Sequence, residues 1–264
     1  MTESFYLNMA QIKLITLNVE MNRHLDTVIP FLERESPDVL CLQEVFSRDI
    51  KMLEEKFGYI SMYLPMCKRW YGLSNTLPLE DQGIAVLSKL PITLENQEYY
   101  FNDSPKLLQY DNKSLETKRK TIRQGIIWVT VKKEEVEFII ANTHFTWTPN
   151  GMTNAYQEQD IKELIKILDR IPNLVICGDF NAPRNINSIY KIITQRFKDN
   201  VPVNIITTLD VNKHRARVDA KEIARIGTYV VDYIFSTPGY EVKDIRVEYG
   251  VSDHAAVIGA IIRT

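Results

Sequence analysis

The sequence predicts an α/β fold in which mixed or antiparallel sheets pack face to face with helices outside. Three observations predict it. Short apolar runs of strand length recur from residue 12 to residue 262. Helical stretches stand among them in both halves of the chain instead of forming a separate block. The run Leu174-Val175-Ile176-Cys177 is too short for a helix and apolar on both faces, as a buried strand is, and it breaks at Gly178.

The elements follow in order. Residues 12–19 alternate well enough for a strand ending at Asn18. Leu25, Val28, Ile29 and Leu32 share one helical stripe that stops before Pro37, and Pro30 within it is expected to kink the helix or restrict it to one side. Residues 38–42 form a short apolar strand that runs out in Gln43-Glu44. Ser47 is placed to cap a helix carrying Ile50, Leu53 and Phe57, closed by Gly58. Residues 59–66 and 83–88 read as strands, with a polar loop at 68–82 between them. Residues 125–132 and 137–142 read as a hairpin that turns at Lys133-Glu134-Glu135 and leads into Thr143-His144. Ile161, Leu164, Ile165 and Leu168 recur at i, i+3, i+4 and i+7, an amphipathic helix ended by Pro172. After the strand at 174–177 come a weaker helix around 186–197, a charge-rich segment at 198–226, and strands at 229–236, 240–249 and 255–262.

Composition bounds the reading. The 264 residues, 45% of them hydrophobic, suffice for one large domain over a continuous core, and residues 1–264 are expected to form a single domain. A net charge of −2 argues against a global field for nucleic acid, so any phosphate binding should be local. Three cysteines without metal-type spacing favour free thiols and a reducing, cytoplasmic setting. The first residues lack a basic region followed by an apolar stretch, and no apolar run approaches the ~20 residues of a membrane span.

The strand ends carry the chemistry. Asn18, Glu44, His144, Asp179 with Asn181, Asp232, and Asp253-His254 each follow a short apolar run. At a spacing of two, Asp179 and Asn181 point to one side while Phe180 turns away to pack. Any one of these polar residues is explained by a turn or a cap. Carboxylates repeatedly placed beside core strands instead imply a partner or a metal.

These residues also stand in the order and spacing of a known family. "LITLNV", "LQEV", "NTHF", "GDFNAP", "VDYIF" and "SDH" span residues 12 to 262. On them the chain resembles the endonuclease/exonuclease/phosphatase superfamily, the exonuclease III and DNase-like enzymes. The resemblance implies a four-layer α/β sandwich and metal-assisted phosphoester hydrolysis with Mg²⁺ or Mn²⁺. It implies Glu44 as principal metal ligand, with Asn18 and Asp253 as further oxygen donors. Asp179 would align or deprotonate the attacking water, and Asn181 would donate to a phosphoryl oxygen. His254, oriented by Asp232, and His144 would contact the scissile phosphate.

The substrate lies in the loops, which such a family varies. Lys118, Arg119, Lys120 and Arg123 form a basic run, in which Arg119 and Arg123 are expected to touch substrate phosphates. Lys213, His214, Arg215 and Arg217 form another, partly neutralised by Asp219 and Glu222. Trp147, just after His144, is the expected stacking platform for a base, with Trp70 and Tyr71 as other candidates. The expectation is a monomeric phosphodiesterase acting on DNA, RNA or a nucleotide ester. The alternative is a phospholipid or inositol-phosphate hydrolase.

Overall fold

The computed structural model describes residues 10–72 and 78–264, without the side chains of residues 216 and 217. The reading of the first nine residues, part of the polar loop (73–77) and the side chain of Arg217 lie outside the described residues. In chain order the first half contains β1 (Gln11–Asn18), α1 (Leu25–Glu35), β2 (Val39–Phe46), α2 (Ser47–Phe57), β3 (Ile60–Trp70), β4 (Leu79–Ser88), β5 (Ile92–Phe101), α3 (Leu115–Thr121), β6 (Gln124–Lys133) and β7 (Val136–His144). The second half contains α4 (Ala155–Leu168), β8 (Val175–Asp179), α5 (Ser188–Thr194), β9 (Lys198–Asp199), α6 (Ala220–Ile226), β10 (Asp232–Ser236), β11 (Tyr240–Glu248) and β12 (Ala256–Arg263).

The strands form two six-stranded mixed sheets, in the orders β11-β12-β1-β2-β4-β3 and β5-β6-β7-β8-β10-β9. The central strands read as continuous apolar runs because both of their faces are covered. In β1, Ile12 and Leu14 enter the core between the sheets, while Ile15 and Leu17 join Val28, Phe31, Leu32, Ile50 and Leu53 of α1 and α2. On the other sheet's outer face, Ile161, Leu164 and Leu168 of α4 and Ile189 and Ile193 of α5 pack into the same core cluster as Val175 and Cys177. The result is helix, sheet, sheet, helix.

α1 continues through Pro30, which is exposed while the opposite face is buried. Gly58 closes α2 with φ 72°, but Ser47 is the first helical residue and Phe46 the cap. The three cysteines are buried and free, as a small core hydrophobe would be. Two elements have no counterpart in the sequence reading: β5, whose outward face is largely polar, and α3, which holds the basic run. The charge-rich segment likewise contains β9 and α6. Among the described residues no helix is long and apolar enough to cross a membrane.

Candidate active site

Register assembles the site. β7 and β8 are parallel with His144 opposite Asp179, and β10 is antiparallel to β8 with Asp232 opposite Asp179. Three polar residues on consecutive strands therefore end side by side. The close approach of β7 and β8 needs Gly178, which has φ 133°. A Cβ at that position would lie 1.9 Å from the Thr143 carbonyl oxygen.

Asp179 accepts two hydrogen bonds and has two imidazoles close by. Its Oδ1 accepts from the backbone N–H of Asn181 at 2.9 Å, and its Oδ2 accepts from Asn18 Nδ2 at 3.1 Å. His144 Nε2 lies 3.4 Å and His254 Nε2 3.8 Å from the same Oδ2. His254 Nδ1 faces both oxygens of buried Asp232, at 2.9 and 3.1 Å. Thr208 Oγ1 in turn accepts from the Val231 and Asp232 backbone N–H groups and so anchors that end of β10. Burial disfavours the His254 imidazolium, but Asp232 and Asp179 outweigh it and hold the group well above its ordinary value. Asn181 sits at φ 48°, a left-handed conformation that Asn tolerates, and donates Nδ2–H to the Phe145 carbonyl at 2.9 Å.

Glu44 reaches the site by a different device. β2 does not end there: it runs to Phe46, and its pairing with β4 slips between Leu42 and Val45. Glu44 occupies this bulge at φ 56°, so its side chain turns away from the ladder. Burial pushes its carboxyl up, but His144, Arg69, Arg215 and His254 more than offset this and bring it to about 2. Asp253 goes the other way, raised to about 6 by burial with repulsion from Glu20 and Glu44, against the attraction of His254.

The two sheets are pinned beneath the site by a buried amide pair. Gln43 Nε2 donates to Asn142 Oδ1 at 2.7 Å, and Asn142 Nδ2 donates to the carbonyls of Leu42 and Ala85, both at 2.9 Å. This gives the Gln of "LQEV" and the Asn of "NTHF" a structural role.

A cavity of about 550 Å³ opens over these groups, with Glu44, His144, Asp179, Asn181, Asp253 and His254 in its wall. Trp147 lines it too, but the Lys118 ammonium lies 3.8 Å from its ring centroid, so one face of the expected base platform is already covered. Arg119 and Arg123 are absent from the lining and depart from their expected place at the substrate. Arg119 is buried against Asp160 in a two-pronged pair, both contacts 2.5 Å. Arg123 donates to the Tyr99 hydroxyl at 3.1 Å and to the Ser104 carbonyl.

Asn18, expected as a metal ligand, uses its amide locally: Nδ2 on Asp179, and Oδ1 accepting the Glu20 backbone N–H at 3.1 Å. Two groups among the described residues bring three ligand atoms within 4.8 Å of one another, Glu20–His24–Asp253 and Asp179–Asp232–His254. Glu20 and His24 stand at no strand end, Arg69 and Tyr110 belong to no motif, and nothing in the sequence separates Lys118, His214 and Arg215, which line the cavity, from the other cations of their segments.

The endonuclease/exonuclease/phosphatase family model matches residues 15–254. No curated protein matches the chain. Similar solved structures include an endonuclease/exonuclease/phosphatase from Beutenbergia cavernae, with TM-score 0.69 at 18% identity, covering 96% of this chain and 72% of that one. The human Nocturnin catalytic domain with bound sulfate anion gives TM-score 0.66 at 17% identity, covering 96% and 94%. D. rerio TDP2 complexed with single strand DNA product gives 0.64 at 10% identity, covering 96% and 99%. At these identities the likeness is one of fold. The family match over almost the whole chain, on the site just described, shows that the protein belongs to the Endonuclease/Exonuclease/phosphatase family, whose members are typically phosphoric ester hydrolases.

Proposed function

We propose that the protein is a divalent-metal-dependent phosphodiesterase, acting as one catalytic domain on nucleic acid or a nucleotide ester. The observation that carries this reading is the registered row His144–Asp179–Asp232, completed by His254 and faced across one cavity by the carboxylates of Glu44 and Asp253. A phosphodiester is anionic and repels hydroxide, so its hydrolysis needs positive charge on the phosphate and an aligned water.

The donor set fits a hard divalent cation such as Mg²⁺ or Mn²⁺. It is rich in carboxylate oxygen, and buried Glu20 stands beside Asp253, its Oε1 3.3 Å from Arg215 Nε and 3.6 Å from Arg23 Nε. Glu44 and Asp253 would hold the ion, with Glu20 and His24 adjacent; Asn18 Oδ1 accepts the Glu20 N–H and has one lone pair left as a further donor. When bound, the ion supplies neutralising charge for the phosphate oxygens. The rest falls to the chain. Asp179 aligns the attacking water and takes its proton. His144 and His254 both direct Nε2 toward Asp179 and are placed to donate to the phosphoryl oxygen that gains charge. Asp232 fixes the His254 tautomer, leaving Nε2–H for the phosphate. Asn181 keeps one amide hydrogen for the same oxygen, since Phe145 takes the other. The bound sulfate of the Nocturnin structure and the DNA product of TDP2 support an oxyanion ligand and a nucleic-acid substrate on this fold.

The test is a substrate panel with Mg²⁺, Mn²⁺ or chelator: single- and double-stranded DNA, abasic DNA, poly(A), sphingomyelin and inositol phosphates. Metal-dependent cleavage of an oligonucleotide is expected. Hydrolysis confined to lipid or inositol esters refutes the nucleic-acid assignment, and binding without turnover refutes the enzyme.

A further inference from the structure

We propose that the cavity wall made by the end of β3, residues 108–115 and α3 is a second anion subsite, in which Arg69 and Lys118 bind a phosphate group of the substrate other than the one hydrolysed. The proposal rests on the phosphodiesterase reading and deepens it. It names the substrate class as phosphodiesters that carry a second phosphate.

The two cations are distinguished by how they are held. Their sequence neighbours are neutralised: Lys68 by Asp81, Arg119 by Asp160 and Lys120 by Glu116. Arg69 and Lys118 line the cavity instead, and among the described residues neither has a carboxylate within ion-pair distance. Each lies over an aromatic ring. The Arg69 guanidinium is 3.7 Å from the Tyr110 centroid and the Lys118 ammonium 3.8 Å from that of Trp147. A ring face steadies a cation without cancelling its charge. The Nε of Arg69 is moreover buried with no hydrogen-bond partner. Glu44 acts on both cations across the cavity but contacts neither, so an anion reaching this wall meets two cations with no carboxylate in contact.

The wall is also built to hold its shape. The Lys68 backbone N–H donates to the Leu108 carbonyl at 2.8 Å, and the Tyr110 N–H returns to the Lys68 carbonyl at 2.9 Å, which fixes Tyr110 beneath Arg69. Ser114 and Thr117 form a reciprocal capping box at the start of α3, one turn from Lys118. Glu44 and Asp179 lie close enough to act electrostatically on Lys118, so the wall adjoins the hydrolytic groups. A planar guanidinium and an ammonium lining one cavity suit phosphate oxygens.

The experiment compares thymidine 5′-(p-nitrophenyl phosphate) with the same ester bearing a 3′-phosphate. It uses wild type, Arg69→Gln and Lys118→Met, each checked for folding by circular dichroism. Wild type is expected to prefer the 3′-phosphorylated ester by 10-fold or more in kcat/KM, mostly through KM, and each variant to collapse that preference toward unity. A preference absent from wild type, or intact in both variants, overturns the subsite. Adenosine 3′,5′-bisphosphate and inositol 1,4-bisphosphate serve as competitors: the stronger identifies the carrier of the second phosphate, and failure of both overturns the proposal. If no ester is turned over, the phosphodiesterase reading fails by itself. The subsite is then judged by calorimetric binding of inorganic pyrophosphate in chelator, expected to weaken at least 10-fold in both variants and refuting the subsite if unchanged.

Discussion

Replacing Arg119 separates a structural cation from a substrate-binding one. Its guanidinium is buried, meets both oxygens of buried Asp160 at 2.5 Å, and lies 3.1 Å from the Phe101 ring centroid. Asp160 on α4 also accepts from Thr146, two residues after His144, so one carboxylate ties α3, α4 and the segment beyond β7 together. Arg119→Met strands that carboxylate in the interior, which costs about 3–5 kcal/mol. At ~2–4 °C per kcal/mol for a chain of this size, the melting temperature should fall by roughly 10 °C. Arg119→Met combined with Asp160→Leu should recover much of the loss, because an apolar pair of similar volume replaces a buried ion pair at little net cost. Calorimetry gives the melting temperatures and turnover of a chromogenic phosphodiester gives kcat and KM below the transition. If Arg119→Met leaves the melting temperature within about 2 °C while raising KM 10-fold or more, the arginine is a phosphate contact and its structural assignment is wrong.

Other perturbations test other links. Gly178→Ala places a Cβ 1.9 Å from the Thr143 carbonyl oxygen at φ 133°, so it should cost about 3 kcal/mol or more and lower kcat further by parting Asp179 from His144, both read from a melt and a rate. Asp232→Asn keeps the shape but loses the charge that orients His254, so kcat should fall about 100-fold or more with KM little changed in steady-state kinetics. Burial is the main cause that lowers the Lys118 ammonium from 10.5 to about 8, with Arg69 and Arg215 adding to it against Glu44 and Asp179. Lys118 is therefore charged below about pH 8 and neutral above it, and pyrophosphate affinity should decline as pH rises through that value. Lys118→Arg should abolish the decline in a calorimetric pH series.

The chain announced its strand ends more clearly than its cavity wall. Strands covered on both faces must be apolar throughout, so Leu174–Cys177 and the polar residues that follow it are visible without partners. The bulge at Glu44 is not, because it exists only in the pairing with β4. The basic run shows the same limit. Successive residues on a helix diverge by about 100°, so Lys118 meets the cavity while Arg119 turns inward to Asp160. α3 has seven residues, too few for a stripe to declare which cation goes where. β5 is not legible in the sequence because it is an edge strand whose outward Glu95 and Gln97 look like loop. Glu20 and His24 reach Asp253 through the turn after β1, which no local pattern encodes.

The proposed function requires Glu44 and Asp179 to serve one metal-dependent hydrolysis at the registered strand ends. The most direct measurement is a Mg²⁺ titration of phosphodiester turnover by wild type, Glu44→Ala and Asp179→Asn. Saturable, chelator-reversible activity in wild type is predicted, with Glu44→Ala losing both rate and metal affinity and Asp179→Asn losing rate at nearly unchanged metal affinity. Turnover that ignores the metal, or that survives in either variant at wild-type rate, would contradict it.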